Sequence, residues 1–387
     1  MSLDWLDSEL QRLSDQGLLR GWRTIRPLGD GWCEVDGRRC RNFASNDYLN
    51  LAGDPRVLDA AQRALSEGGA GATASALICG RTIWHERLEQ AIADFEQTDA
   101  AVLFPTGFAA NLGTIAALVT NDDVVFCDRL NHASLVDGCG LSGAKLRVYR
   151  HDRLDVLERE LSKAESDARQ WIVTDSVFSM DGDIAPLAEL CGLADRFGAD
   201  LIVDEAHATG VFGDKGRGVC ELSGTESRVA VRVGTLSKAV GCLGGFVACS
   251  ESLRDWLWNS ARTQMFSTAL PPSVCAAATA SLQVIRDEPQ RRKRLHSLSR
   301  QLVEQLKQSG LSIPAGIAGP IIPVLLGDAQ AAVNAASRVL DAGFLVGAVR
   351  PPTVPQQTSR LRVCVSAAFE ETDIDELAAA IIRVALQ

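Results

Sequence analysis

The sequence lacks the patterns that would assign it to a membrane or to a nucleic-acid complex. No uninterrupted apolar stretch is long enough to span a bilayer, and the N-terminus is acidic where a signal peptide needs positive charge. Acidic and basic residues are interspersed and the net charge is −10, so no basic patch is indicated. We therefore expect a cytoplasmic protein that binds neither nucleic acid nor a membrane.

The cysteines lack a metal-binding or disulfide pattern. The eleven residues are scattered from Cys33 to Cys364, with no C-x-x-C pair and no Cys/His group at zinc spacing. An odd number of cysteines in an expected cytoplasmic chain indicates reduced thiols, most of them buried. The sequence predicts no metal site.

Two common nucleotide-binding fingerprints are also missing. Asp204-Glu205-Ala206-His207 spells a helicase motif, but that assignment needs a phosphate loop containing Gly-Lys, and the chain has no Gly-Lys pair. A metal site built from Asp204 and His207 has no third ligand indicated. The segment 69–74 loosely fits G-x-G-x-x-A, but it follows a helical run and not a strand, so we interpret it as a chance match.

The length and the patterning predict an α/β protein with two domains. At 387 residues the chain is long for one core, and its 46% hydrophobic and 23% charged residues are typical of a globular protein. From about residue 46 to 250, helical stretches alternate with short β-branched runs, which predicts a mainly parallel sheet covered on both faces. We expect an N-terminal arm and hairpin over 1–45, a large domain over 46–275, and a linking helix with a small α/β domain over 276–387.

The predicted elements follow from these periodicities. The expected strands of the large domain are 101–104, 124–127, 146–149, 171–174, 201–204, 229–233 and 246–249. The expected elements outside it are a surface helix over 3–20, a hairpin over 32–43, a long helical segment over 272–308, strands 321–326, 344–349 and 361–365, and helices 329–341 and 373–386.

A lysine follows one of the predicted strands of the large domain. Thr235-Leu236-Ser237-Lys238 comes directly after the run 229–233 and precedes Gly241, Gly244 and Gly245. An amine beside hydroxyls can hold a phosphate or form a Schiff base with a carbonyl. Taken alone, the segment is better explained as a solvated lysine on a loop, as most short motifs of this kind are.

Other strand ends supply partners for this lysine. Gly107-Phe108 begins a helix whose free amides attract anions, His132 follows the next strand, and Asp204 with His207 follows a buried run. Ligands in such folds gather beyond the carboxyl ends of the strands. Pyridoxal phosphate needs this set, because its phosphate needs amides and hydroxyls, its aldehyde a lysine, and its pyridine nitrogen a carboxylate.

Six segments occur in the order and spacing of a known family: Asn46-Asp47-Tyr48-Leu49, Gly107-Phe108, Asn131-His132-Ala133-Ser134, 177–183, Asp204-Glu205-Ala206-His207 and Thr235-Leu236-Ser237-Lys238. From about residue 46 to 369 the chain resembles the α-oxoamine synthases, a family of fold-type-I pyridoxal-phosphate enzymes. The resemblance implies a mainly parallel seven-stranded sheet in the large domain, a smaller C-terminal α/β domain, and a homodimer. It also implies the decarboxylating condensation of an amino acid with an acyl thioester.

The resemblance implies a set of cofactor-binding residues: Gly107, Phe108, His132, Ser179, Asp204, His207, Thr235, Lys238, Ser267 and Thr268. The catalytic residues among them would be Lys238, His132, Asp204 and His207. Lys238 would form the Schiff base and move the α-proton, Asp204 would hold the pyridine nitrogen, and His207 would hold the phenolic oxygen. Ser267 and Thr268 would reach the phosphate of the partner subunit.

The substrate-binding residues implied by the resemblance are Arg20, His132, Thr353 and Arg362. His132 would stack on the cofactor ring, and Arg362 would clamp the carboxylate of the amino acid in a bidentate manner. The segment 350–355 is similar to that of members that condense L-alanine with a pimeloyl thioester, carried by coenzyme A or a carrier protein. Arg20 falls where such members bind the distal carboxylate, although a solvated helix-face charge is also consistent with its sequence position.

Two positions depart from the family pattern. Asn50 stands where a glycine commonly follows Asn-Asp-Tyr-Leu, and Ala76 stands where an arginine commonly ends a Gly-rich stretch. Both departures bear on the acyl chain more than on the cofactor. The open alternatives are therefore another family member, using glycine or serine, and a cofactor-binding protein without synthase activity.

Overall fold

The computed structural model describes residues 3–164 and 168–386, which form two compact units. The large unit comprises Leu49–Ser179 and Asp183–Lys293, and the small unit comprises the chain up to Tyr48, Met180–Gly182 and the chain from Arg294 onward. These units divide the chain differently from the expected domains. The N-terminal arm groups with the C-terminal part, and residues 276–293 group with the large unit.

The elements in chain order are as follows. The N-terminal elements are α1 (Trp5–Asp15), β1 (Ile25–Gly29), β2 (Trp32–Val35) and β3 (Arg38–Asn42). Those of the large unit begin with α2 (Pro55–Gly68), α3 (Ile83–Glu96), β4 (Ala100–Phe104), α4 (Gly107–Leu118), β5 (Val124–Asp128), α5 (Ala133–Ser142), β6 (Lys145–Tyr149), α6 (Leu154–Leu161) and β7 (Gln170–Asp175).

The remaining elements continue to the C-terminus. They are α7 (Leu187–Phe197), β8 (Ala199–Asp204), α8 (Val219–Leu222), β9 (Val231–Thr235), β10 (Gly245–Cys249), α9 (Glu251–Ser260), α10 (Arg262–Met265), α11 (Pro272–Asp287), α12 (Pro289–Gln308), β11 (Ile321–Gly327), α13 (Ala329–Asp341), β12 (Phe344–Leu345), β13 (Gly347–Val349), β14 (Ser359–Cys364) and α14 (Glu371–Ala385). A π-helical turn covers Ala76–Gly80 and a 3-10 turn covers Glu226–Arg228.

The sheet of the large unit confirms the predicted architecture. Its seven strands have the order β4-β10-β9-β8-β7-β5-β6, and β10 runs antiparallel to both of its neighbours while the other described pairs are parallel. The carboxyl ends of the other six strands therefore lie along one edge. Residues at that edge include Phe104, Asp128, Asp175, Asp204 and Thr235.

Burial explains why polar groups of these strands gather at the edge. Every residue of β4, β5, β9 and β10 is buried, and because alternate side chains point to opposite faces, both faces of these strands are covered. An unpaired polar side chain inside such a strand would lose its hydration without compensation. The interior is accordingly an apolar cluster that includes Val125, Val173, Ile202, Val233 and Val247.

The small unit contains two sheets, with strand orders β1-β2-β3-β12 and β11-β14-β13. The predicted hairpin is formed by β2 and β3, in which Cys33 lies opposite Cys40 and the two Sγ atoms are 3.5 Å apart. The strand β12 pairs with β3 in parallel, and this pairing joins the N-terminal arm to the C-terminal part of the chain. Most cysteines are buried as expected, with Cys79 exposed.

The predicted long helical segment over 272–308 is helical, but it is divided into two helices. The chain forms α11 and α12, separated at Glu288, whose φ of −119° and ψ of 63° are not helical. Pro289 explains the break, because proline has no N–H to donate and its ring restricts the preceding residue. The arm helix is also shorter than predicted, since Gly17 has a φ of +65° and the helix ends at Asp15.

No helix within residues 3–164 and 168–386 combines the length and the apolar character that a bilayer crossing requires.

The start of β10 approaches the start of α4 closely. A Cβ placed on Gly245 would lie 2.6 Å from the carbonyl carbon of Thr106 and 2.7 Å from Cα of Gly107. These neighbours are backbone atoms and cannot rotate away. Only glycine therefore fits at this position without moving the helix start.

We predict that Gly245→Ala lowers the free energy of unfolding by roughly 1–3 kcal/mol, because it overpacks a backbone contact. The matched control is Gly140→Ala in α5, where an added Cβ would meet nothing within 4 Å. That change should be neutral or stabilise by up to about 1 kcal/mol, since alanine is the better helix former. Urea unfolding of both variants measures the difference, and equal stabilities would contradict the geometry.

Candidate active site

A buried carboxylate lies at the centre of the strand edge. Asp204 ends β8 and is 4% exposed. Its Oδ1 accepts a hydrogen bond from the backbone N–H of Ala206 at 2.7 Å, and its Oδ2 accepts one from Nδ2 of Asn111 at 2.6 Å. These bonds fix the orientation of the carboxylate and leave it lone pairs for a further donor.

An anion-binding cradle lies between the start of α4 and the end of β9. Thr106 caps α4, and its Oγ1 accepts from the N–H of Ala109 at 3.0 Å. The amides of Gly107 and Phe108 precede the first intrahelical bond, so they point out of the helix start, where an anion is favoured. A Cβ on Gly107 would lie 3.0 Å from Oγ1 of Thr235, which brings these two predicted phosphate ligands together.

The loop carrying the lysine is held by a compact hydrogen-bond pattern. Oγ1 of Thr235 donates to the carbonyl of Gly244 at 2.9 Å and lies 2.8 Å from Oγ of Ser237. The N–H of Leu236 also donates to the Gly244 carbonyl at 2.9 Å. Lys238 follows as a half-buried side chain. The predicted phosphate ligand and the predicted Schiff-base lysine are thus positioned by one turn.

His132 is the N-cap residue of α5 and stands over the same edge. Its backbone N–H donates to Oδ2 of Asp175 at 2.6 Å, and its ring meets that of Phe108 edge-on with centroids 6.1 Å apart. Burial lowers the pKa of His132, the charge of Asp204 opposes this shift, and the charge of Lys238 adds to it. The imidazole is therefore kept neutral although a carboxylate lies within electrostatic reach.

Asp175 is a second buried carboxylate, directly opposite Asp204 in the pairing of β7 with β8. Burial, followed by the negative charge of Asp204, raises the pKa of Asp175 well above its ordinary value, whereas the charge of Lys238 lowers it. Two neighbouring carboxylates in a dry site favour protons and cations. The edge therefore suits a ligand that brings positive charge to Asp204.

These groups fit pyridoxal phosphate. The helix start at Gly107 and the Thr235 hydroxyl provide an anion site, the half-buried Lys238 provides an amine, and the buried Asp204 provides a carboxylate with free lone pairs. Lys238 perturbs both His132 and Asp175 electrostatically, so it shares their part of the edge. Among the described residues, no group of three or more His, Cys, Asp or Glu side chains is arranged to hold a metal ion.

Two side chains of the segment Asp204-Glu205-Ala206-His207 have different surroundings, one in the site and one in the supporting structure. His207 is 6% exposed in the turn after β8, as its predicted role beside the cofactor requires. Glu205 is 2% exposed and accepts from Oγ of Ser176 at 2.6 Å and from the N–H of Cys220 at 2.7 Å. Glu205 therefore holds the start of α8 against β8 and is not available to a metal ion.

Ser267 and Thr268 lie beside the altered loop of Ala76. Thr268 forms a β-bridge with Ser75, and the N–H of Ala269 donates to the Ala74 carbonyl at 3.0 Å. Within the described part of this chain, no hydrogen bond connects either hydroxyl with the anion cradle. Their contact with the phosphate of a partner subunit stays a prediction.

The predicted substrate residues of the small unit are positioned by local contacts. Nη2 of Arg20 lies 3.4 Å from Oγ1 of Thr353, which brings two of them together. Arg350 holds the arm there, donating to the carbonyls of Gly17 at 2.7 Å and Leu19 at 2.9 Å. In the same unit, Nη1 of Arg362 donates to Oδ1 of Asn46 at 3.2 Å and to Sγ of Cys364 at 2.8 Å.

The structure gives a physical reason for one of the two family departures. Asn50 has a φ of +55°, the left-handed conformation that glycine adopts freely and that asparagine tolerates better than most residues. The substitution therefore preserves the backbone that the family glycine provides. Ala76 begins the π-helical turn, and nothing in its contacts explains the loss of arginine.

Sequence reasoning missed His151, which supports the segment carrying Ser179. Its Nδ1 lies 2.9 Å from Oδ2 of Asp128, its Nε2 lies 2.7 Å from Oδ2 of Asp183, and its ring packs edge-on against Phe178 at 4.1 Å. Burial lowers the pKa of His151, but hydrogen bonds to the two carboxylates and their charges outweigh it and raise the pKa to about 10. The charged imidazole bridges β5 to the segment that follows Ser179.

We predict that His151→Gln destabilises the protein by roughly 1.5–3 kcal/mol at pH 6, because it removes charged hydrogen bonds. Because the pKa of His151 is raised, its contribution to the free energy of unfolding is fully present below about pH 6.5, the ordinary pKa of histidine. This contribution is lost as the pH rises through about 10. Urea unfolding of wild type and variant at pH 6, 8 and 10 should show the gap narrowing. When Asp183→Asn is already present, adding His151→Gln should lower the stability much less than it does in wild type. A stability difference between wild type and His151→Gln that does not change with pH would refute the bridge.

Comparisons with known proteins show the family to which the chain belongs. The family model described as aminotransferase class I and II matches residues 38–381. The chain is 46% identical to a putative 8-amino-7-oxononanoate synthase 2 of Bacillus velezensis, over 96% of this chain and 95% of the relative. It is also 46% identical to the 8-amino-7-oxononanoate synthase of Anaeromyxobacter dehalogenans, over 99% and 96%.

Solved structures show the same fold with the cofactor present. A serine palmitoyltransferase from S. paucimobilis, bound to PLP and myriocin, matches with a TM-score of 0.94 and 33% identity over 100% of both chains. The 8-amino-7-oxononanoate synthase of Francisella tularensis matches with a TM-score of 0.76 and 28% identity over 89% of this chain and 97% of that chain. The chain therefore belongs to the aminotransferase class I and II family and, within it, to the α-oxoamine synthases, acyltransferases that use pyridoxal phosphate as their cofactor.

Proposed function

We propose that the protein condenses L-alanine with a pimeloyl thioester to give 8-amino-7-oxononanoate, carbon dioxide and a free thiol, a step of biotin biosynthesis. The observation that carries this proposal is the 46% identity, across nearly the whole chain, with the Bacillus velezensis and Anaeromyxobacter dehalogenans proteins; the serine palmitoyltransferase is 33% identical and the Francisella tularensis synthase 28%. The TM-score is higher for the serine palmitoyltransferase than for the Francisella tularensis synthase. We give the sequence more weight, because a shared fold hosts different substrates.

The reaction requires charge stabilisation at the α-carbon of alanine. When bound, pyridoxal phosphate supplies an electron-accepting ring that stabilises the negative charge left there after the α-proton is removed. Asp204 would hold the pyridine nitrogen of the bound cofactor and keep it protonated, which would strengthen the ring as an electron acceptor. The bonds from Asn111 and Ala206 hold the Asp204 carboxylate in one orientation for this task.

Lys238 moves the proton at the α-carbon. Its amine takes the α-proton of alanine and returns a proton to the same carbon after carbon dioxide leaves. The half-buried position limits its hydration, and the buried carboxylate of Asp204 lies in the same part of the edge as the charge that Lys238 carries between the two transfers. One side chain can therefore act first as base and then as acid.

The bonds balance without an oxidant or a metal ion. A carbon–carbon bond forms between the α-carbon and the acyl carbonyl carbon, and the carbon–sulfur bond breaks to release the thiol. The bond from the α-carbon to the carboxylate then breaks and releases carbon dioxide. Of the side chains that act on the substrate, Arg362 binds the amino-acid carboxylate, and Arg20 with Thr353 binds the distal carboxylate of the acyl chain.

Two further proposals concern the state of the enzyme. We infer a homodimer in which Ser267 and Thr268 of one subunit reach the phosphate site of the other, and a cytoplasmic location. The exposed apolar side chains of Ile78 and Phe266, close in sequence to the Ala76 loop and to Ser267, support burial of this surface against a second subunit.

A serine-using synthase is the second candidate. The TM-score of 0.94 with serine palmitoyltransferase favours it, and the change to Ala76 leaves room for a different acyl chain. Glycine C-acetyltransferase is the remaining member considered. A cofactor-binding protein without synthase activity would bind the cofactor but form no product.

The test is a matrix of alanine, glycine and serine against pimeloyl, acetyl and palmitoyl thioesters, carried by coenzyme A and by a carrier protein. We predict that alanine with the pimeloyl thioester gives the highest kcat/KM, by about tenfold or more over each other pair. The substrates differ by one or a few chemical groups, and the loss or gain of one such group in a binding pocket changes kcat/KM by about this factor. Mass spectrometry of the product identifies 8-amino-7-oxononanoate.

The matched control is Arg20→Gln, which should reduce kcat/KM for pimeloyl thioester and leave that for acetyl thioester unchanged. Serine with palmitoyl thioester as the best pair would replace the proposal by the second candidate. No carbon dioxide from any pair, with bound cofactor, would assign the protein to the non-synthase class.

A further inference from the structure

We propose that Asn111 and Ser134 are positioning residues that form a hydrogen-bond relay from Asp204 to His132 and fix His132 as the neutral tautomer with its proton on Nε2. The relay joins the carboxylate for the pyridine nitrogen to the imidazole that stacks on the ring. The inference rests on the reaction class of the family and not on the identity of the acyl chain.

The first step is the orientation of the Asn111 amide. Its Nδ2 lies 2.6 Å from Oδ2 of Asp204 and 2.9 Å from Oγ of Ser134. A flipped amide would place its carbonyl oxygen against the carboxylate oxygen of Asp204, where two acceptors repel. Both N–H groups of Asn111 are therefore donors, one to Asp204 and the other to Ser134.

The second step is the direction of the Ser134 hydroxyl. Its oxygen already accepts from Asn111, and it lies 2.7 Å from Nδ1 of His132. Ser134 is fully buried, so its single proton goes to Nδ1. The backbone N–H of Ser134 also donates to Nδ1, at 3.3 Å. Two donors aimed at one nitrogen leave it no room for a proton of its own.

The third step is the charge balance around the imidazole. Four titratable groups face or influence His132: Asp204, Asp137, Lys238, and Asp175, which accepts from its backbone N–H. Burial and Lys238 oppose a second proton on the ring, whereas Asp204 and Asp137 favour one. Donation from Asn111 reduces the pull of Asp204 on that proton, and the donors at Nδ1 exclude it from one nitrogen. The negative charge of Asp204 is thereby kept for the pyridine nitrogen.

The presence of a buried asparagine at position 111 indicates that its hydrogen-bond donors are needed. The residue is 2% exposed, and its Oδ1 has no hydrogen-bond partner among the described residues. A buried carbonyl without a partner lowers stability, so an apolar side chain of similar shape would pack better. Its two N–H donors explain why asparagine stands there. The ring edge of His132 opposite the relay, with Nε2–H, is then left as a donor for the substrate.

The test is nitrogen-15 NMR of the holoenzyme labelled at histidine, with the His132 signals assigned by comparison with His132→Gln. In wild type we expect a protonated Nε2 and an unprotonated Nδ1 from pH 6 to 8. In Ser134→Ala and Asn111→Leu we expect the Nδ1-protonated form or the cation to appear below about pH 7, as in an ordinary histidine. We also expect kcat of both variants to fall roughly tenfold, most strongly at low pH, as for other partners that fix a tautomer.

The matched control is Ser281→Ala, which removes another fully buried serine hydroxyl, in α11, and should leave the His132 signals and the pH profile unchanged. Ser134→Thr keeps the hydroxyl and should restore the wild-type tautomer. A wild-type spectrum with a protonated Nδ1 would overturn the relay, and it decides the matter even if the variants fail to fold. Variant spectra identical to wild type would overturn it as well.

Discussion

The site depends on a carboxylate that is buried away from water. Asp204 is buried at the end of β8, and burial of a carboxylate is tolerated only when hydrogen bonds and nearby positive charge compensate for the lost hydration. Ala206 and Asn111 supply the hydrogen bonds, and Lys238 brings positive charge to the part of the edge that contains His132 and Asp175. The parallel strands bring these groups together because their carboxyl ends lie along one edge of the sheet.

Around this carboxylate, each neighbouring group is kept in a particular protonation state. Asp175 is biased toward its protonated form by burial beside Asp204, His132 is kept neutral, and His151 is kept charged between two carboxylates. The three shifts have different causes: desolvation with a like charge, desolvation with a nearby ammonium, and two opposite charges at hydrogen-bond distance. The fold thus keeps a protonated carboxyl group, a neutral imidazole and a charged imidazole in different states at neighbouring strand ends.

The sheet was predictable from the sequence because its strands leave local patterns, and the same patterns place the predicted site residues at the strand ends. The periodicity of the sequence predicted the strands of the sheet. Asp204 ends one of these strands, and Lys238 lies in the turn that follows another. Asn111 and His151 left no such signal, since their partners lie 93 and 23 residues away along the chain. The division into units also escaped prediction, because it depends on the pairing of β12 with β3. The long helical segment over 272–308 was predictable from its periodicity, and Pro289 explains its division into α11 and α12.

The most direct measurement of the account compares Asp204→Asn with wild type. Asparagine keeps the size of the side chain but cannot hold a proton on the pyridine nitrogen by charge. Equilibrium titration should show that the variant still binds pyridoxal phosphate through the cradle at Gly107 and Thr235 and through Lys238. Its rate of carbon dioxide release should fall at least about 100-fold, as when other preorganised charge stabilisers are removed. Cofactor binding together with wild-type turnover would contradict the central role of this buried charge.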